Sequence, residues 1–414
     1  MRSIGVTLPW ILVLALSSTV ARAEGEARIS VDDALRAARS AAPDLVVARA
    51  RQSVAHAEVG IAGTYPNPTF AAGTSTQAAK LSGTVSIPLV VLGQRGAAMD
   101  AARADESKVA LDSQVTWTDV RQATVRAYVA LWLAEGVAIA RRESAGIEAT
   151  LESAVMQRVQ VGAAPELDGL RVHAEKLRAQ ADLLQAVAEV TVSGAELGRW
   201  MGLTDGGALR ATGALSVPET APPLSTLLAR LDVSASVRRE QSDVLASDAR
   251  VKRERTFVRP SLSLDLGLDA FDPTLIPQGA PPGADPPVNY RAQLTFDVPL
   301  FNQRGAYIER EKAQGDVARA RVQAARVQGA AELTAAYRTF EAATAQQHTL
   351  ADSVVPAARA AARGTEEAYT FGRAPLLSVL DAERTLVETG VSALRAQAAR
   401  ATAWADVEHA LGVP

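Results

Sequence analysis

Two hydrophobic rhythms alternate along this chain. The stretch SLSLDLGLDA, Ser261 to Ala270, places leucine at 262, 264, 266 and 268, with Ser263, Asp265, Gly267 and Asp269 between them. A period of two puts the leucines on one face of a β-strand and the polar residues on the other. YRAQLTFDVP repeats the design, setting Tyr290, Ala292, Leu294, Phe296 and Val298 against Arg291, Gln293, Thr295 and Asp297. A weaker copy sets Leu81, Gly83, Val85 and Ile87 against Ser82, Thr84 and Ser86. Strands are expected at about 68–76, 81–88, 261–271 and 290–299.

Elsewhere the period is helical. Val125, Tyr128, Val129 and Trp132 stand at i, i+3, i+4 and i+7, as do Leu333, Ala336, Tyr337 and Phe340. No proline occurs between Gly96 and Pro165. A helix over about 95–160 would be roughly 100 Å long at 1.5 Å per residue, far more than a compact domain needs. Incoming helices are expected over 31–63 and 229–257. Pro66, Pro68, Pro88, Pro260 and Pro299 mark the joints between helix and strand, where a residue without an N–H is tolerated. Pro356 interrupts the second long helix and Gly146 stands at the corresponding place in the first, which reads as a bend in both hairpins or as two unrelated surface positions.

The chain is written twice. VGAAPELDGL (Val161–Leu170) answers FGRAPLLSVL (Phe371–Leu380), IPLVVLGQRGAA answers VPLFNQRGAY, and YPNPTF answers FVRPSL, in the same order. A duplicated unit follows, with halves at 24–202 and 229–414, each reading helix, strand, strand, long helix, turn, helix. Residues 203–228 form a loop-like linker with room for a short strand. A proline-rich connector, FDPTLIPQGAPPGADPPV, separates the last two strands.

Composition narrows the function. Aromatics are 4% of the 414 residues, a level suited to long alanine-packed helices, and a net charge of −3 gives a nucleic-acid partner no electrostatic support. With no cysteine, thiolate chemistry and disulfides are excluded. The four histidines are scattered, and neither HAE (His56–Glu58, His173–Glu175) has the second histidine one turn on that a zinc site needs. No nucleophile–base pair or phosphate loop is visible, so no enzyme activity, metal site or cofactor is expected. Residues 1–23 read as a signal peptide, with Ala21-Arg22-Ala23 at the cleavage site, and no cysteine follows to carry a lipid anchor. Beyond them no stretch reads as a membrane-spanning helix.

Strands of 9–11 residues with one apolar and one polar face fit a transmembrane β-barrel, lipid outside and water inside. The alternative is an ordinary half-buried sheet packed on helices. Four strands cannot close a barrel, and an open edge in lipid leaves backbone groups unpaired. Several chains must therefore share one barrel, and three copies supply twelve strands.

The motifs YPNPTF, IPLVVLGQRGAA, VPLFNQRG, VGAAPELDGL and YTFGRAPLLSVLDAERTL resemble the TolC family of outer-membrane efflux proteins, in family order and over nearly the whole mature chain. GQRG and GRAPLLSVLDAER are similar to its CzcC-like branch, which is linked to metal efflux. The resemblance implies a mainly α fold with a membrane β-barrel part: a homotrimer with a shared twelve-stranded barrel in the outer membrane and an α-helical barrel crossing the periplasm. It implies a passive duct for substrate, heavy-metal cations among the candidates, working with a periplasmic adaptor and an inner-membrane pump, RND type favoured. Val161, Gly162, Ala163, Phe371, Gly372 and Arg373 match the hairpin tips where adaptors dock; a plain helix–helix turn would also explain the glycines. Asp168, Tyr369 and Asp381 match positions that line or latch the closed end; a solvated helix face would also suit each acid. The chain departs from the family at Ala374, where its best-known member has a latch arginine, and at Ser378, where it has an aspartate. A type I protein-secretion channel of the same fold and a periplasmic helical adaptor or structural coiled coil are the competing readings.

Overall fold

The computed structural model describes residues 27–74, 79–206, 208–215, 217–271 and 288–413. The leader and residues 272–287 of the proline-rich connector lie outside the described residues.

The alternating segments form one antiparallel sheet. Its strands are β2 (Thr69–Thr74), β3 (Ala79–Leu89), β5 (Ser261–Phe271) and β6 (Val288–Asp297), in the order β2-β3-β5-β6. Register keeps like with like: Val85 lies opposite Leu266, which lies opposite Ala292, and Ile87 opposite Leu264, which faces Leu294. Ser86, Asp265 and Gln293 form one row of the other face. A one-residue slip would exchange the faces, so the period-two pattern also fixes the pairing. Pro88 is not at the joint but paired with Ser263 at the penultimate position of β3, close enough to the strand end for its missing N–H to be tolerated.

Long helices continue from the strands. α2 (Pro43–Ala62), α3 (Gln94–Gln160), α6 (Ala235–Thr256) and α7 (Gly305–Thr349) lie side by side in the strand order. Further from the sheet, α3 packs on α4 (Glu166–Trp200) and on α9 (Leu376–Ala410), and α9 packs on α8 (Val355–Thr370). The incoming helix expected over 31–63 is two helices, α1 (Val31–Ala41) and α2. Pro43 is the first residue of α2, and it holds Ala42 in an extended conformation (φ −55°, ψ 129°) that ends α1. Ser30 starts α1 through a reciprocal capping box with Asp33.

The bend expected in both hairpins is present in one. α3 runs unbroken through Gly146, whereas a π-helical turn, Leu350–Val354, separates α7 from α8 just before Pro356. Glycine weakens a helix but keeps its N–H; proline removes the bond to the carbonyl four residues back and clashes with it, so the turn widens.

The core sits at mid-height. Tyr128 and Leu131 of α3 pack with Ala34 of α1 and Ala186, Val190 and Leu197 of α4. Leu333, Tyr337 and Phe340 of α7 pack with Ala403 and Val407 of α9 and with Leu227 of a short helix, α5 (Leu224–Leu228). Around this belt β1 (Ala27–Ile29) pairs in parallel with β4 (Leu209–Ala211), the short strand of the linker. Tyr128 ties the belt to α3, donating its hydroxyl to the Thr212 carbonyl at 2.6 Å. α3 carries a stretch apolar enough to cross a membrane, but this same packing buries its Tyr128 and Leu131, and Ala398 and Ala401 of α9 pack on its buried Val129.

Candidate functional site: two turns and an open sheet

Both ends of the molecule carry unfinished surfaces. At the sheet end, every residue of β6 and of the described β2 is exposed, and these are the two edge strands. Phe70, Tyr290, Leu294 and Phe296 stand open to solvent in the single chain. Among the described residues no helix packs on these strands, so a half-buried sheet packed on helices does not describe this arrangement. On the polar face Thr295 donates its hydroxyl to Asp265, and Arg291 lies 3.5 Å from Asp269.

At the other end the two helical turns share one geometry. After α3, Gly162 takes φ +70°; its N–H donates to the Val159 carbonyl at 3.0 Å and that of Ala163 to the Arg158 carbonyl at 2.7 Å. After α8, Gly372 takes φ +69°, with Gly372 donating to Tyr369 at 2.9 Å and Arg373 to Ala368 at 2.7 Å. This is the Schellman closure, in which glycine supplies the left-handed residue and the orphan carbonyls of the last turn are satisfied. Pro165 and Pro375 then cap α4 and α9. Each turn displays an apolar residue: Val161 is 78% exposed and Phe371 74% exposed, with the Arg373 guanidinium 5.7 Å from the Phe371 ring centre. Leu167 and Leu377, at matching positions beyond the turns, are also exposed.

The three other sequence candidates sit close above. Asp168 lies in the first turn of α4, where the helix dipole favours an anion, with Arg171 3.7 Å away. Asp381 is exposed on α9. Ser378, not Asp381, answers Asp168 in the repeat, so Asp381 lies three residues, about 4.5 Å, further along its helix at 1.5 Å per residue. Tyr369 is partly buried against Val155, Val172, Leu376 and Leu380, and Arg158 of α3 lies over its ring at 5.1 Å. It therefore joins the two hairpins, while the two aspartates stand at different heights.

Sequence reasoning missed two sets of residues. Glu148, Glu366 and Glu383 lie on three different helices above the turns; Glu148 meets Glu383 and Arg384 from more than 200 residues away in the chain, so no local pattern betrays that encounter. Arg95 and Arg304 had a signal, the repeated QRG, without a role.

A four-stranded sheet with both edge strands exposed, continuous with helices of up to 67 residues, suits a wall segment of a membrane channel. The comparisons agree. The outer membrane efflux protein family matches residues 34–203 and 226–413, and the chain belongs to that family. It is an outer-membrane efflux channel and not an enzyme. The cobalt-zinc-cadmium resistance protein CzcC of Cupriavidus metallidurans is 23% identical over 332 residues, 79% of this chain and 76% of that protein. The nickel-cobalt-cadmium resistance protein NccC of Alcaligenes xylosoxydans is 29% identical over 205 residues, 49% of this chain and 43% of that one. The fold is similar to that of the Campylobacter jejuni CmeC outer membrane channel, with a TM-score of 0.73 at 18% identity, covering 92% of this chain and 85% of that one.

Proposed function

We propose that three copies of this chain close one twelve-stranded barrel in the outer membrane and one α-helical tunnel beneath it, the passive outlet of a tripartite metal-efflux system. The open sheet carries this reading. In lipid the unpaired edges of β2 and β6 must each find a partner, and β6 of one copy beside β2 of the next satisfies both. The apolar rows led by Leu262 to Leu268 then meet lipid and the rows of Asp265 and Arg291 border water.

The chain divides into halves at 24–202 and 229–414, with 203–228 as an equatorial link between them. The turns at Val161-Gly162-Ala163 and Phe371-Gly372-Arg373 point into the periplasm and receive the adaptor, which connects the tunnel to an inner-membrane pump. Exposed Val161 and Phe371 supply the apolar contact for that docking. Asp168, Tyr369 and Asp381 act at the gate: repeated by the threefold axis, each aspartate becomes a ring of carboxylates that attracts cations. Divalent metal cations are the cargo, in keeping with the metal-resistance relatives.

The test is assembly and conduction together. Purified full-length protein should cross-link as a trimer in detergent and give single-channel currents in planar bilayers. A chain that stays monomeric and needs no detergent would refute the shared barrel. Restored growth of a metal-sensitive host on cobalt or zinc, dependent on the matching pump, identifies the cargo; no protection against any of these metals would remove that part.

A further inference from the structure

Glu148 of α3 is 8% exposed, and its Oε2 has no hydrogen-bond partner. A carboxylate buried this way is costly in its charged form. Its charged neighbours come from two other helices: Glu175 on α4, and Glu383 and Arg384 on α9. Arg384 is already committed, donating from Nη2 to Glu175 Oε1 at 2.6 Å; Glu388 and Asp381 of its own helix also act on it. Glu383 in turn faces Glu366 on α8.

Four glutamates, one from each of α3, α4, α8 and α9, are thus coupled electrostatically across both hairpins. Glu148 lies 12 residues before the end of α3, roughly 18 Å at 1.5 Å per residue. Glu366 and Glu383 also line a groove of about 730 Å³ between α3, α8 and α9, where the remaining charged residues are Glu143 and Arg158. Arg158 is placed over the Tyr369 ring. One turn from Glu148, Glu152 is neutralised by Lys176 at 2.7 Å and contacted by His173 at 2.6 Å, so it brings no unbalanced charge. Among the described residues no group of three or more histidine, aspartate or glutamate side chains could hold a metal ion.

We propose that this layer is a proton-operated clasp between the two hairpins, closed while Glu148 and Glu383 are protonated and loosened when both ionise. Its effect on conduction rests on the channel reading above. Burial, reinforced by Glu175 and Glu383, raises the Glu148 pKa above the ordinary 4.5. Burial and then Glu366 do the same for Glu383. A carboxyl raised in the packed state favours packing fully below its ordinary value and loses that contribution as pH rises through the raised value. Ionised, the layer sets four negative charges against the one guanidinium of Arg384, and the repulsion acts across α3 and α9, between the hairpins.

The test uses the full chain. The sequence has no cysteine, so Thr150→Cys and Thr370→Cys place spin labels on opposite walls of the groove, on α3 and α8. Between a mildly acidic and a mildly alkaline buffer, the distance distribution should shift to longer values. With Glu148→Gln and Glu383→Gln added, the acidic distance should persist in both buffers, because glutamine keeps the shape of the protonated acid. A distance indifferent to pH in the parent, or a pH response unchanged by the glutamines, overturns the clasp. Conductance is recorded in parallel: a distance that responds to pH without any single-channel current would sink the channel reading and leave the clasp standing.

Discussion

Arg304 grips Glu254. The guanidinium donates from Nε at 2.8 Å and from Nη2 to the same carboxylate oxygen, and Glu254 is 2% exposed. Arg304 caps the start of α7 in a left-handed conformation, φ 55°, and its guanidinium lies 5.5 Å from the Phe257 ring centre and 4.5 Å from that of Tyr307. Its counterpart, Arg95, donates from Nε to the Gly63 carbonyl at 2.6 Å and lies over Tyr65 at 4.5 Å. In both halves the arginine of QRG ties the start of a long helix to the end of the incoming one, next to the sheet.

Removing the Arg304 side chain leaves a buried acid with Arg253 as its remaining close cation. Arg304→Ala should destabilise the detergent-solubilised protein by ~3 kcal/mol, the usual cost of breaking a buried pair from one side. Arg304→Gly loses the same pair but relieves the left-handed backbone, so it should be about 1 kcal/mol less harmful. Thermal unfolding of the two variants decides the point; glycine equal to or worse than alanine would rule out backbone strain at this cap.

The same pair sets a pH response. Burial pushes Glu254 up, but the bonds from Arg304 and then Arg253 outweigh it and hold the acid below its ordinary 4.5. A depressed carboxyl stabilises the fold above its ordinary value and loses that contribution as pH falls through the depressed one. Acid should therefore loosen the α6–α7 junction while it tightens the Glu148 layer. Hydrogen exchange on peptides from the two regions, corrected for intrinsic rates, should move in opposite directions on acidification. Parallel movement would defeat the assignment of either group.

The two turns allow folding and docking to be separated. A Cβ at Gly162 or Gly372 meets nothing within 4 Å, so alanine there costs only the left-handed backbone, about 1–2 kcal/mol confined to the turn. Val161→Asp and Phe371→Asp alter exposed side chains and should leave the melting temperature unchanged. Together they should abolish adaptor binding in a pull-down with the purified partner. Retained binding would move the docking surface away from the tips.

Asp168→Ala with Asp381→Ala should raise resting conductance and lower cation preference in planar bilayers. The two residues stand at different heights, so each single variant should keep one carboxylate ring and part of the selectivity. If the double variant conducts as the parent does, the gate is elsewhere, and Tyr369 with Arg158 becomes the next pair to test.

What the sequence made legible follows from range. Leu262 to Leu268 announce a strand and its lipid side because alternation is written within ten residues. Val161–Leu170 and Phe371–Leu380 announce matching turns because glycine, alanine and proline recur in register, and the two Schellman closures agree to within a degree of φ. The break at Pro43 is not legible within the helix expected over 31–63, because a proline in a first turn looks the same whether it starts a helix or interrupts one. Gly146 leaves α3 unbroken, the second of the two readings open to it, because a helix clamped by α4 and α9 absorbs one glycine. Glu148 is not legible in the sequence, since Glu383 and Arg384 are placed near it only by the packing of the second hairpin on the first.

The sheet itself offers the sharpest test of which side meets lipid. Leu266 lies in the middle of β5, between Val85 and Ala292, and Asp265 occupies the opposite face between Ser86 and Gln293. An arginine on the lipid side of a membrane strand near mid-depth costs ~2–4 kcal/mol, and a shared barrel would bear that cost once per copy, three times in all. Leu266→Arg should therefore eliminate heat-resistant trimers and membrane insertion. Asp265→Asn, on the water side, should insert and assemble normally and change only ion selectivity. Gel shift of unheated samples and flotation of membranes give both readouts from one preparation. The reverse result, with Leu266→Arg assembling and Asp265→Asn failing, would mean that the leucine face is turned inward, and the channel wall would have to be rebuilt with its sides exchanged.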